Sequence, residues 1–238
     1  MAGILFIISA PSGSGKSTLV NQLRSLVSGL DFSVSYTTRA PRGSEQAGRE
    51  YHYVDRPTFE RMQREDEFLE SAPVFGNLYG TARQSLADAI ARGHDLLLDI
   101  DVQGAEQVRQ RMPDAVSIFV MPPNPEVLAM RLRNRSRAEG SISEEVIQRR
   151  LAKARIEIED YEKYDYILVN DVLEQAVEEL EAIVASERYH RGQTTAGVAA
   201  GDTDQLLQLA ERCRRPNAMQ RIVPVLASFG VPEPARSR

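Results

Sequence analysis

The chain has 238 residues, 42% of them hydrophobic, enough for one compact core with small inserted subdomains. A net charge of −5 argues against a general nucleic-acid binder or a membrane-surface protein, and 26% charged residues is an ordinary globular figure. The lone Cys213 excludes an internal disulfide and points to a reducing, cytoplasmic setting. In chain order, "ILFIIS" (Ile4–Ser9) is a short apolar run closed by Pro and Gly, the pattern of a strand buried on both faces. The opening lacks a basic stretch and a small-residue cleavage site, so it reads as strand rather than as targeting or membrane segment. Similar runs recur at 96–100, 116–120 and 166–169, with a further short strand at 32–35. Helical patterns lie at about 17–28, 82–92, 103–112, 143–161 and 172–190. Strands alternating with helices predict an α/β fold with a parallel β-sheet core flanked by helices.

Two segments break the alternation. Residues 34–81 are rich in Arg, Tyr, Thr and Gly and too long for an ordinary connection, which predicts an inserted substrate-binding subdomain. Residues 126–150 place four arginines in the seven residues 131–137, ahead of a helix starting near Ser143, and read as a mobile flap. The core is then 1–33, 82–125 and 151–190. The extension 191–238 reads as linker-like, with a short amphipathic helix near 203–213 and a disordered tail.

The most informative stretch is "APSGSGKST", Ala10–Thr18. It follows the phosphate-loop pattern G-x-x-x-x-G-K-S/T except at Ala10, where the first glycine would stand. Gly13 and Gly15 let the backbone curl so that successive N–H groups face phosphate oxygens, and the following helix adds its positive end. Lys16 would reach the β- and γ-phosphates of a nucleotide, and Ser17 would offer a hydroxyl to Mg²⁺. Asp99 and Asp101, two apart at the carboxyl end of a buried strand, share a face there. Asp99 is a candidate for the metal through water, and one of the two aspartates is also a candidate helix cap. His52, His94 and His190 lack ligand spacing, so no protein-built metal site is expected.

A phosphate loop alone leaves ATPase, GTPase and kinase open. The stretches "SAPSGSGKST", "FSVSYTTRAPR", "REYHYV", "FLESAPVFGNLYGT" and "LLLDIDVQGA", in that order, resemble guanylate kinase, and "YDYILVND" fits the end of the match near residue 188. Ala-Pro-Ser-Gly is common at the loop in bacterial members, so Ala10 is no departure there. The resemblance implies a phosphate-loop NTPase fold with a GMP-binding subdomain over 34–81 and a lid over 126–150. It implies an ATP:GMP phosphotransferase of purine nucleotide metabolism, using Mg²⁺ with ATP. ATP would lie along Ala10, Pro11, Ser12, Gly13, Ser14, Gly15, Lys16, Ser17 and Thr18, with Asn170 and Asp171 near its ribose or base.

For the acceptor, Arg39 and Arg42 with Tyr51 and Tyr79 make a chemically sensible phosphate clamp of guanidinium forks and phenol hydroxyls. By resemblance Glu70 reads guanine N1–H and N2–H₂, Ser35 and Thr81 donate toward the base, and Asp99, Asp101 and Gly104 lie near GMP. Adenine presents a lone pair at N1, which a buried Glu70 rejects. The GMP phosphate is already anionic, so no general base is needed. Lys16, Arg42, Arg135 and Arg150 would supply the catalytic charge, with Arg131 and Arg137 as looser matches. A non-catalytic guanylate-kinase-like binding module and another nucleoside monophosphate kinase are the alternatives. Monomer and homodimer both fit the sequence.

Overall fold

The computed structural model describes residues 3–43, 45–138, 143–193 and 200–232, the side chains of 135–138 and 200–202 apart. β1 (Leu5–Ser9) leads into α1 (Lys16–Leu26), and β2 (Leu30–Phe32), β3 (Tyr36–Thr37) and β4 (His52–Tyr53) follow. Next come α2 (Arg56–Arg64), the pair β5 (Phe68–Val74) and β6 (Asn77–Ala82), α3 (Arg83–Arg92) and β7 (Asp95–Asp99). Then follow α4 (Val102–Arg111), β8 (Val116–Met121), α5 (Pro125–Ala138) and α6 (Glu144–Glu159). The chain closes with β9 (Tyr166–Val169), α7 (Leu173–His190), α8 (Ala200–Cys213) and α9 (Arg215–Ser228). These elements fall into two compact units, Met1–Ile8 with Ser28–Val116 and Ser9–Val27 with Ser117–Arg238. No helix among the described residues is long and apolar enough to cross a membrane.

In the first unit β2, β7 and β1 run parallel in that order, with Leu5 opposite Leu96 and Leu30 opposite Asp95. β1 is buried at every residue, as a strand covered on both faces requires. The buried Asp95 carboxylate accepts from the Ile4 N–H at 2.6 Å and pins the start of β1. A second sheet has the order β4-β3-β6-β5. Its β5–β6 hairpin turns at Phe75 (φ 47°) and Gly76 (φ 84°), the two positive φ values that a two-residue turn of this hand needs. Under it, Phe59, Met62 and Phe68 form a small core with Tyr36, Val54 and Leu78. The strand expected at 32–35 is corrected: β2 stops at Phe32, opposite Leu97, and the chain leaves to pair Tyr36 with Gly80.

In the second unit α1 packs on α7, and β8 runs parallel to β9 with Ile118 opposite Tyr166. The arginine-rich stretch read as a flap begins as a helix. Asn124 Oδ1 accepts from the Val127 N–H at 2.8 Å, and Leu128 and Leu132 put a buried apolar pair one turn apart on α5. The extension also differs from its linker-like composition. α8 packs on α7, and α9 lies against β9. Arg221 makes a two-pronged pair with Glu179, at 2.7 Å and 3.0 Å, and Arg214 bridges Tyr166. Pro224 inside α9 obscures its buried stripe of Ala218, Ile222, Val225 and Leu226. Of the expected linker at 192–202 and tail at 230–238, residues 194–199 and 233–238 lie outside the described residues. Burial pushes the Cys213 thiol up to about 12, so it behaves as a small hydrophobe.

Candidate active site

The phosphate loop belongs to the second unit and is shaped by two glycines for separate reasons. Gly13 has φ 94°, and a Cβ there would meet Leu132 Cδ2 at 2.9 Å, so only a bare backbone fits against α5. Gly15 caps α1 at φ 88°, and a Cβ there would sit 2.4 Å from Asn170 Nδ2. The curl closes with Ser14 N–H donating to the Pro11 carbonyl at 3.1 Å. α1 then opens with no acidic residue in its first turn and no side-chain cap, which leaves its positive end for an external anion. Lys16 is half-buried at that end, and Ser17 and Thr18 are exposed. Ala10 and Pro11 are buried, Ala10 at 8% exposure, as backbone support under the curl.

The loop is held from behind by its outward carbonyl. Asn170 Nδ2 donates to the Ser14 carbonyl at 2.7 Å, and Arg131 Nη1 donates to the same oxygen at 3.2 Å. Arg131 Nη2 donates to the Asn170 carbonyl at 3.0 Å, closing a triangle between loop, α5 and the end of β9. Arg131, a loose match among the flap arginines, therefore touches the phosphate loop directly. Ser14 Oγ and Asn170 Oδ1 are buried and make no hydrogen bond among the described residues. Arg150 lies half-buried on α6 and Asp171 is exposed just past β9. The side chains of Arg135 and Arg137 lie outside the described residues.

The acceptor-side residues gather in the first unit. Phe68 pairs with Ala82 but Glu70 with Thr81, so β5 carries one extra residue at Leu69. This bulge turns Glu70 inward after two buried apolar residues, a re-aiming typical of bulges beside active sites. Glu70 is 3% exposed, and Thr81 Oγ1 donates to its Oε1 at 2.7 Å. Gly104 gives Glu70 its room: a Cβ there would stand 2.5 Å from Glu70 Oε2. The Gly104 N–H donates to Asp101 Oδ1 at 2.9 Å, which makes Asp101 the N-cap of α4. The expectation that Asp99 and Asp101 share a strand face is corrected here, because β7 ends at Asp99 and Asp101 stands beyond it. Ser35 is buried at 9% exposure between β2 and β3, its carbonyl accepting from the His52 N–H.

Arg39, Tyr51 and Tyr79 form one cluster. Arg39 is 7% exposed, donates from Nε to the Tyr79 hydroxyl at 3.1 Å and lies 5.3 Å from the Tyr51 ring centroid. Tyr51 and Tyr79 meet edge to face at 5.7 Å. Burial, with the Asp99 charge nearby, pushes the Tyr51 hydroxyl up to about 12, so it stays a proton donor at neutral pH. Arg42 is half-buried on the following loop. Sequence reasoning missed Glu45, whose carboxylate takes donors from Arg39, Arg42 and Tyr53. The available signal was an acid three residues after Arg42 in an otherwise basic segment. Among the described residues no three His, Cys, Asp or Glu side chains gather as a metal-binding group.

The sequence model of a family described as guanylate kinase matches residues 3–187. A curated guanylate kinase of Koribacter versatilis is 56% identical over 229 residues, covering 96% of this chain and 97% of that protein. That likeness runs through most of the extension. A guanylate kinase of Dechloromonas aromatica is 48% identical over 200 residues, covering 84% of this chain and 97% of that protein. The crystal structure of guanylate kinase from Anaplasma phagocytophilum aligns with TM-score 0.65 at 34% identity, over 86% of this chain and 94% of that one. The parallel strands flanked by helices are thus those of a phosphate-loop α/β fold, and the chain belongs to the guanylate kinase family.

Proposed function

We infer that this protein transfers the γ-phosphoryl group of ATP to GMP, giving ADP and GDP. The observation that carries the reading is Glu70, a buried carboxylate held by Thr81 and set against the bare backbone of Gly104. An ionised carboxylate only accepts hydrogen bonds, which suits the adjacent N1–H and N2–H₂ donors of guanine and opposes the N1 lone pair of adenine. Ser35, Thr81 and Asp101 complete the base reader, and Asp99 stands beside Tyr51 in the same half. Arg39, Arg42, Tyr51 and Tyr79 take the GMP phosphate.

On the donor side, the amides of Gly13–Thr18 and the Lys16 ammonium hold the ATP phosphates, with Asn170 and Arg131 fixing the loop behind them. Ser17 is the hydroxyl suited to Mg²⁺ arriving with ATP, a hard oxygen donor for a hard cation. When bound, Mg²⁺ neutralises charge on the β- and γ-phosphates. Arg135 and Arg150, in the lid segment 126–150, add positive charge to the transferring group. The chemistry is positioning and charge neutralisation, since the acceptor oxygen needs no base. ATP and GMP are the partners this reading expects, and a cytoplasmic enzyme fits it.

A coupled assay of ADP release over GMP, AMP, CMP and UMP tests this. Turnover confined to GMP is expected. Preference for another monophosphate would name a different kinase, and no turnover with any would leave a binding module.

A further inference from the structure

Glu45 lies on the loop after β3 and is one-fifth exposed. Its Oε1 accepts from Arg39 Nη2 at 2.9 Å, and its Oε2 accepts from the Arg42 N–H and the Tyr53 hydroxyl, both at 2.8 Å. One carboxylate thereby ties together the buried clamp arginine, the backbone of the second clamp arginine and a side chain of β4. Arg39 is committed elsewhere too, from Nε to Tyr79 and from Nη1 to the Ala40 carbonyl at 2.8 Å. A guanidinium has five N–H groups, and these bonds fix the plane and direction of its fork. Tyr79 accepts from Arg39, which leaves its own hydroxyl proton to donate.

Two roles are open to an acid in this place. It can stand in for the absent phosphate and be displaced by it, or it can stay and hold the donors in shape. Displacement would orphan the Arg42 N–H and the Tyr53 hydroxyl together, and the carboxylate reaches both through short, charge-assisted bonds. Burial alone would raise its pKa, but hydrogen bonds from Arg42, Tyr53 and Arg39 outweigh that and hold it below the usual carboxylate range. It is therefore a fixed anion across the neutral range.

We propose that Glu45 is a positioning residue of the acceptor-phosphate clamp, orienting Arg39 and the Arg42 loop toward phosphate without touching the substrate itself. This rests on the reading that Arg39, Arg42, Tyr51 and Tyr79 take the GMP phosphate. The test compares wild type, Glu45→Gln and Glu45→Ala by steady-state kinetics and by the inhibition constants of GMP analogues against guanosine. Glu45→Ala should raise the KM for GMP about tenfold or more, with a few-fold change in kcat and an unchanged KM for ATP. Glu45→Gln, which keeps one acceptor oxygen, should fall between the two. Guanosine, lacking the phosphate, should bind all three alike.

Tighter or unchanged GMP binding in Glu45→Gln would overturn the proposal, because a displaced stand-in relieves competition when removed. Equal losses for GMP and guanosine would overturn it too, as general damage to the subdomain. A wild-type chain that binds GMP no better than guanosine would sink the functional reading, and this proposal with it. A wild-type preference for the phosphate that survives undiminished in both variants would sink only this proposal.

Discussion

In the proposed reaction, the phosphate loop and the acceptor site solve the same problem, holding a phosphate, with different materials. The loop is almost entirely main chain: two glycines with positive φ, the open end of α1, and Asn170 and Arg131 gripping one outward carbonyl. The acceptor site is almost entirely side chains, brought by β3, β5, β6 and the loops beside them, from Ser35 to Gly104. A backbone cradle recognises any polyphosphate, because amides and a helix end see only charge and spacing. A side-chain site distinguishes one base from another, because a buried carboxylate with fixed partners penalises the wrong donor pattern. The contrast predicts that damage in the loop affects every acceptor equally, while damage in the clamp and base reader changes selectivity.

The largest effect should come from the loop's lysine. Lys16→Ala should lower kcat by roughly 10³-fold, the scale for a principal charge on a transferring phosphoryl group, with the circular dichroism spectrum and melting point preserved. Near-normal turnover would remove the loop from the chemistry. A matched pair of substitutions then separates the two halves. Gly15→Ala places a Cβ 2.4 Å from Asn170 Nδ2 at φ 88°, and Gly104→Ala places one 2.5 Å from Glu70 Oε2 without a positive φ. The first should raise the KM for ATP and cost about 1–3 kcal/mol of stability, measured by urea unfolding. The second should raise the KM for GMP by about tenfold, near 1.4 kcal/mol, and leave ATP untouched. A KM change for the same substrate in both variants would erase the distinction.

The same difference in materials explains what could be read in advance. The loop is contiguous, so Gly13, Gly15, Lys16 and Ser17 declare themselves in nine residues following an apolar strand. The alternation of apolar strands and helices was equally local, and β1, β7, β8 and β9 lie close to their expected spans. The acceptor sheet left little pattern because β3 and β4 are two residues each and β5 carries a bulge that breaks its alternation. Only the resemblance located Glu70 and Thr81, and no local rule marks Gly104, whose importance is the side chain packed on it. α5 escaped because its arginines mask the Leu128–Leu132 spacing, and α9 because Pro224 interrupts it. Glu45 is the clearest omission, because an acid three residues after Arg42 shows its role only once Arg39 and Tyr53 fold onto it. Arg131 reads only as a lid arginine, because its bond to Ser14 spans 117 residues.

The most direct test of the account is the preference for GMP over AMP, taken as the ratio of kcat/KM values, in wild type and in Glu70→Gln. The account predicts a strong GMP preference in wild type. It also predicts a loss of about 1.5–3 kcal/mol in the GMP term of the variant, the scale of a charged hydrogen bond, while the KM for ATP stays unchanged. A GMP preference undiminished in Glu70→Gln would contradict it, because the base would then be read by some other group.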